Sequence, residues 1–271
     1  MIFVQNLPVE IKHFSDGAIQ VNLTSDIINA LDAVLVEDEH EYFEVTATIK
    51  SNDDLIALLQ TKACLDAKYT GVEIDLTLTY VPYQRSDRMM SDFSCGGFKT
   101  IAPLINSLKA VNVQVFDPHS DVVEALLNNV LINSQTECLE MMASNSPELL
   151  NVDYLISPDS GALKKVLKSS ELFKIPMLEA VKVREIGTNK ILRTTLHANG
   201  ADLAGKRVLI VDDIGEYGTT HRELAKVLKE DFGVSVVNLY VTHGVFPLNT
   251  RITPASRFNF PLEFIDQIYC L

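Results

Sequence analysis

The sequence predicts an α/β protein with mostly parallel sheets and flanking helices, folded as two lobes. Three observations carry this expectation. Short β-branched runs alternate along the chain with longer stretches of helical spacing, the pattern of strand–helix–strand units. The chain has 271 residues, which corresponds to about 1.8 domains at roughly 150 residues each. A cluster of small and polar residues with a proline, Asn145-Ser146-Pro147, follows a helical stretch and precedes a new strand, so the expected lobes are 1–146 and 147–271.

The elements follow in order from these periods. An amino-terminal strand is expected over Ala18–Leu23 and a second over Glu44–Ile49. Next comes a helix over Asp53–Lys68: Leu55, Leu58, Leu59, Ala63 and Leu65 fall mostly three or four apart, and Asp53 and Asp54 lie at its positive end. One face of that helix is apolar and should pack on a sheet. A strand over Asp75–Tyr80, a helix over Phe98–Lys109, a strand over Val113–Phe116 and a helix over Asp121–Asn128 complete the first lobe. The second lobe should hold strands Tyr154–Ser157, Met177–Val183, Arg207–Val211 and Ser235–Tyr240, with helices Ala162–Lys168 and Thr220–Asp231. From Pro247 to Leu271, two further prolines, Pro254 and Pro261, and a Phe-rich run leave no assignable element. No internal repeat or low-complexity tract marks a solenoid or propeller.

Composition narrows the function. Apolar residues make up 47% and charged residues 22%, an ordinary globular balance. Lys and Arg number 23 against 36 Asp and Glu, a net charge of −13. Such a surface repels phosphate backbones and argues against a nucleic-acid partner, so an anionic substrate must be caught locally. Cys64, Cys95, Cys138 and Cys270 form no C-x-x-C pair, which indicates neither a zinc site nor a disulfide framework. With no basic leader and no apolar window of membrane length, the expectation is a cytoplasmic protein without a membrane partner. Asn22-Leu23-Thr24 fits the glycosylation triplet but carries no weight without a secretory signal. His13, His40, His197 and His221 show no metal spacing and are expected at the surface or as caps, His243 is expected to be structural, and Cys95-Gly96-Gly97 reads as a flexible turn.

The strongest local signal is Val208-Leu209-Ile210-Val211-Asp212-Asp213-Ile214-Gly215-Glu216-Tyr217-Gly218-Thr219-Thr220, followed by a helical pattern. A buried parallel strand ends in two acids, and a loop with two glycines and two threonines then opens a helix. Ligands of open α/β sheets bind at the carboxyl ends of strands. Backbone N–H groups and threonine hydroxyls of such a loop can surround a phosphate, and the helix dipole favours the anion. The paired carboxylates could hold sugar hydroxyls or a divalent metal. A plain strand-to-helix turn with solvated acids is the competing reading. Just upstream, Gly200-Ala201-Asp202-Leu203-Ala204-Gly205-Lys206 fits G-x-x-x-x-G-K, but Arg207 replaces the required hydroxyl residue and the segment precedes a strand, so it reads as a turn.

The run from Val208 to Thr220 resembles the phosphoribosyl-diphosphate (PRPP) binding loop, and further segments resemble, in order, one family that carries it: ribose-phosphate pyrophosphokinase, or PRPP synthetase. Phe14-Ser15-Asp16-Gly17 is similar to the family's Phe-Ser-Asp-Gly-Glu, and Pro82-Tyr83-Gln84-Arg85-Ser86-Asp87-Arg88 to its Pro-Tyr-Ala-Arg-Gln-Asp-Arg. Asp117-Pro118-His119 resembles Asp-Leu-His, and Ser157-Pro158-Asp159-Ser160-Gly161 resembles the pyrophosphate loop. Lys182-Val183-Arg184 resembles the Lys-x-Arg of the flexible catalytic loop, and Thr242-His243-Gly244-Val245-Phe246 the family's Thr-His-Gly-hydrophobic-Phe.

The resemblance implies two phosphoribosyltransferase-like lobes with the active site between them. It also implies transfer of the diphosphoryl group of ATP to the 1-hydroxyl of ribose 5-phosphate, giving PRPP and AMP. Lys182 and Arg184 would be the catalytic cations. Phe14, Asp16, Arg85, Asp87 and His119 would bind ATP, the adenine site being shared across a dimer of a homo-oligomer. Asp212, Asp213, Gly215, Gly218, Thr219 and Thr220 would bind ribose 5-phosphate, and His119 and Asp159 would meet Mg²⁺. The physical chemistry agrees. Arg85 can clasp phosphate oxygens bidentately, and magnesium prefers oxygen donors, so His119 could instead hydrogen-bond a phosphate. Two cations spaced i, i+2 on a strand face one way, and a cationic loop, here with Ile186-Gly187-Thr188-Asn189-Lys190 following, stabilises transition-state charge and excludes water.

The chain also departs from the family. Ala18 stands where Glu is usual, and Glu216, Tyr217 and Thr219 stand where Asp, Thr and Gly are usual. The 5-phosphate cradle is bulkier and loses a hydroxyl, at a cost of about 1.5–3 kcal/mol per lost phosphate hydrogen bond. Ser86 replaces Gln, and Met89-Met90 lacks the basic residues frequent there, which weakens any expectation of phosphate or ADP regulation. Two alternatives remain open: a catalytically silent homologue that regulates an active synthetase, and a phosphoribosyltransferase that consumes PRPP.

Overall fold

The computed structural model describes residues 1–36, 42–89, 91–184, 191–246 and 264–271. They form two units, Met1–Asn133 and Ser134–Leu271.

In the first unit the elements run β1 (Ile2–Val4), β2 (Leu7–Pro8), β3 (Glu10–His13), β4 (Ile19–Asn22), α1 (Ser25–Val36), β5 (Tyr42–Thr48), α2 (Asn52–Lys68), β6 (Glu73–Tyr80), α3 (Gly97–Asn106), β7 (Asn112–Phe116), α4 (Val122–Leu126) and β8 (Val130–Asn133). The main sheet has the order β2-β1-β5-β6-β7-β8. Strands β5 to β8 pair in parallel, and β1 and β2 add an antiparallel edge. The strand expected at 18–23 is present as β4, but it pairs antiparallel with β3 in a separate two-stranded ribbon. Helix α2 shows why the local sequence folds as it does. Ser51 caps the amide of Asp54 while the Asp54 carboxylate accepts from the Ser51 amide, a reciprocal box that satisfies two donors of the first turn. Its Leu55, Leu58 and Leu65 are buried, as the period requires, in one core with Val45, Leu76 and Leu78 of the sheet.

The second unit contains α5 (Gln135–Asn145), a 3-10 turn (Pro147–Leu150), β9 (Tyr154–Ser157), α6 (Leu163–Phe173), β10 (Met177–Arg184), β11 (Ile191–His197), β12 (Arg207–Gly215), α7 (Thr219–Glu230), β13 (Val236–Gly244) and β14 (Gln267–Cys270). The order is β11-β10-β9-β12-β13-β14, with β11 antiparallel at the edge and the rest parallel. Two mostly parallel sheets with flanking helices therefore stand as expected.

The division between the units falls before α5, whereas the break at Asn145-Ser146-Pro147 put it after. The reason is packing. Leu139 of α5 is fully buried with Leu149, Leu155, Val166, Leu209 and Tyr240, all of the second unit. The proline segment is a turn inside that unit. A Ser134–Glu137 capping box, the S-x-x-E pattern, marks the true start. The expected loop 186–190, Met90, His40 and residues 247–263 lie outside the described residues.

Candidate active site

In the first unit, three segments carry site candidates. The β3–β4 hairpin turns at Phe14–Gly17: Gly17 has φ +88°, the left-handed region that favours glycine. Asp16 Oδ1 accepts from the Ala18 amide at 3.0 Å, so part of the Asp16 carboxylate shapes the turn itself. Phe14 is exposed, with Lys12 Nζ 5.2 Å from its ring centroid.

The Pro82–Arg88 loop leaves the carboxyl end of β6, and the Asp117–Ser120 loop leaves β7, its neighbour in the sheet. Two side chains clamp these loops together. Fully buried Gln84 accepts the His119 amide on Oε1 at 2.8 Å, and Ser120 Oγ donates to Asp87 Oδ2 at 2.6 Å. Arg88 adds Nε and Nη2 bonds to Asp87 at 3.0 and 3.1 Å. The Arg88 guanidinium, helped by Ser120, holds the Asp87 carboxyl down to about 2 although burial opposes it. Asp87 is thus buried against its own loops, whereas Arg85 and His119 are exposed. The structure brings the Arg85 and His119 segments together and gives Asp87 a clamping position.

In the second unit, β9 ends in buried Ser157, whose Oγ donates to the Asp159 carbonyl at 2.8 Å. Asp159 Oδ1 accepts the amides of Gly161 and Ala162 at 3.0 and 3.3 Å, organising the turn into α6. Strand β12 runs four residues past the expected end and includes Asp212, Asp213, Ile214 and Gly215. Asp212 Oδ1 accepts the Asp213 amide at 2.9 Å, and its Oδ2 lies 2.7 Å from His221 Nε2 on α7. Burial pushes the Asp212 carboxyl upward, with the His221 hydrogen bond opposing it. Lys165 of α6 donates to Asp213 Oδ2 at 3.3 Å.

Gly218, at φ +64°, turns the chain into α7, whose start has no side-chain cap. The amides of Thr219, Thr220 and His221 open the helix there, where first-turn N–H groups have no intrahelical acceptor. Tyr217 and Thr219 are exposed on this loop, and Gly215 and Gly218 are buried. Gly215 pairs with Gly244 of β13. A Cβ on Gly215 would come within 2.8 Å of Phe246 Cζ, and one on Gly244 within 2.9 Å of Phe246 Cε2, so the ring covers both glycines closely. Lys182 and Arg184 lie on β10, opposite Thr194 and Ile191 of β11, with a register shift between Val183 and Arg184.

Several participants escaped the sequence reading. Gln84, Ser120 and Lys165 act through contacts distant in sequence. His221, expected at the surface or as a cap, is buried on the first turn of α7. One signal was available: position 221 is the third residue of a helix opening from the loop, where a side chain can turn back toward the strand end. Among the described residues no group of three His, Cys, Asp or Glu could hold a metal by itself, and no helix is long and apolar enough to cross a membrane.

Paired acids at a strand end, followed by a glycine turn and an uncapped helix start, place hydroxyl acceptors beside amides suited to an anion. No family model matches the chain. Ribose-phosphate pyrophosphokinase 3, chloroplastic, of Oryza sativa subsp. japonica is 30% identical over 179 residues, 64% of this chain and 42% of that protein. The ribose-phosphate pyrophosphokinase of Pyrococcus furiosus is 26% identical over 282 residues, 96% of this chain and 92% of that protein. The chain thus spans less than half the length of the rice relative. The crystal structure of phosphoribosylpyrophosphate synthetase from Mycobacterium smegmatis superposes with a TM-score of 0.69 at 18% identity, covering 97% of this chain and 85% of that one, so the two share a fold. Over most of its length the chain is similar to ribose-phosphate pyrophosphokinases.

Proposed function

We propose that the protein transfers the diphosphoryl group of ATP to the 1-hydroxyl of ribose 5-phosphate, giving PRPP and AMP. The observation that carries this reading is the arrangement at the end of β12: two carboxylates held by separate partners, followed by a tight glycine turn into an uncapped helix. Carboxylates suit sugar hydroxyls and a helix start suits a phosphate, so the arrangement fits a sugar phosphate held at both ends. Asp212 and Asp213 grip the ribose hydroxyls, while Gly215, Gly218, Thr219 and Thr220 cradle the 5-phosphate.

In the reaction the 1-oxygen of ribose attacks the β-phosphorus of ATP, the bond from that phosphorus to the α–β bridging oxygen breaks, and AMP leaves. The hydroxyl proton is lost as the new bond forms. Positioning and charge neutralisation supply most of the acceleration in such transfers. Lys182 and Arg184 neutralise charge on the transferring group. Arg85 and His119, on loops clamped by Gln84 and Asp87, hold the ATP phosphates, and Phe14 and Asp16 complete the adenine site across a dimer. A magnesium ion needs few protein ligands when phosphates and water fill its octahedron, and Asp159 and His119 are the residues that would meet it. When bound, it screens phosphate charge.

This reading is tested by incubating the purified protein with ATP, Mg²⁺ and ribose 5-phosphate and following AMP, with Lys182→Ala as background. Multiple turnovers dependent on ribose 5-phosphate are expected. A stoichiometric burst, or no AMP, overturns it and favours a silent or PRPP-consuming relative. A homo-oligomeric, cytoplasmic enzyme completes the proposal, and native mass measurement tests the oligomer.

A further inference from the structure

His221 is more deeply enclosed than the carboxylate it touches: its side chain is 5% exposed against 21% for Asp212, at 2.7 Å. Its Nδ1 is buried with no hydrogen-bond partner. A buried N–H without an acceptor is more costly than a lone pair without a donor. Nε2, the nitrogen that faces Asp212, is therefore the one placed to carry a proton and donate it to Oδ2. The other carboxylate oxygen already receives the Asp213 amide. A carboxylate has about four acceptor sites, so two protein donors fix its plane and leave lone pairs for further donors. His221 sits in the first turn of α7, the helix whose opening amides follow Gly218. A single bond thus ties the helix start to the paired acids.

We propose that His221 is a positioning residue for Asp212, holding that carboxylate in the orientation that grips the ribose hydroxyls, in register with the helix start that receives the 5-phosphate. This rests on the proposed assignment of the β12–α7 site to ribose 5-phosphate. The role belongs to this chain's own residue and needs no metal. Lys165 reaches the Asp213 carboxylate from a different helix, so the direct loss on removing His221 falls on Asp212.

Three variants test it: His221→Leu removes the donor, His221→Asn is too short to reach, and His221→Gln places an amide N–H where Nε2 stood. Ribose 5-phosphate binding is measured by calorimetry, and KM and kcat are measured separately, on protein with the far-ultraviolet spectrum of the wild type. The expected result is tenfold or greater weakening for ribose 5-phosphate in the Leu and Asn variants, with the KM for ATP within twofold of wild type. Saturating ribose 5-phosphate should restore kcat to within about fivefold, and the Gln variant should recover affinity to within threefold. Should the Leu variant fail to fold, the Asn–Gln pair decides. If wild type turns over but all variants bind alike, or Gln is no better than Asn, the inference falls and the proposed reaction stands. If wild type forms no AMP but binding is graded in this order, the reaction falls and the inference stands. Wild type that neither turns over nor binds ribose 5-phosphate overturns both.

Discussion

Replacing Asp87 by Asn should destabilise the protein at neutral pH and matter little in acid. The Asp87 carboxyl is held at about 2 against an ordinary 3.8, chiefly by Arg88. One pKa unit is ~1.36 kcal/mol, so the shift corresponds to a ceiling of roughly 2.4 kcal/mol. Arg88 is 68% exposed although Asp87 is only 5% exposed, and solvent screening of that partner reduces the contribution to about 1–1.5 kcal/mol. Because the folded-state pKa is depressed, the stabilisation is present above the unfolded value and disappears as pH falls from near 4 through 2. Chemical denaturation of wild type and Asp87→Asn at pH 7 and at pH 2 is the assay. A difference of about 1–1.5 kcal/mol at pH 7 that closes at pH 2 is expected. An equal difference at both pH values would show that Asp87 acts through shape and not through charge.

Other perturbations follow from the same contacts. Gly215→Ala should cost about 1–3 kcal/mol by overpacking, since its Cβ would stand 2.8 Å from Phe246; a melting temperature equal to wild type would mean the ring moves freely. Gln84→Leu removes the acceptor for the His119 amide and should raise the KM for ATP several-fold while leaving that for ribose 5-phosphate within twofold; steady-state kinetics in both substrates checks this, and equal effects on both would refute the loop clamp. Lys182→Ala should lower kcat by about 10²–10³ with small changes in either KM, the size typical of losing one transition-state donor; single-turnover rates read it directly.

The parallel core was legible because β9, β12 and β13 are buried on both faces and read as apolar runs, while β5, β6 and β7 alternate buried and more exposed residues at period 2. Strand β9 matches its expected bounds, and β6, β7, β10 and β13 begin or end within a few residues of theirs. Strands β1, β2 and β3 escaped because each is only two to four residues long, and β11 because it lies at the sheet edge and pairs with β10 alone. Helix α1 was missed because it is rich in Ile and Val, whose helix propensity is low, and α5 was read only as an unbounded helical stretch before Asn145 because it is mostly polar with few buried side chains. At the site, Asp212, Asp213 and the glycine turn were visible as a contiguous run. Their partners Lys165 and His221 were not, because a hydrogen bond between helix and strand end leaves no periodic trace. Asp87 and Asp159 were legible as acids, but the amide, hydroxyl and guanidinium donors that engage them emerge only from the fold.

The most direct test of the central claim follows the phosphorus. With ATP, Mg²⁺ and ribose 5-phosphate, ³¹P resonance should show ATP signals replaced by AMP and by a diphosphoryl group on the ribose 1-oxygen, with no transfer when Lys182 is Ala. Appearance of ADP and inorganic phosphate instead, or unchanged ATP, would contradict it.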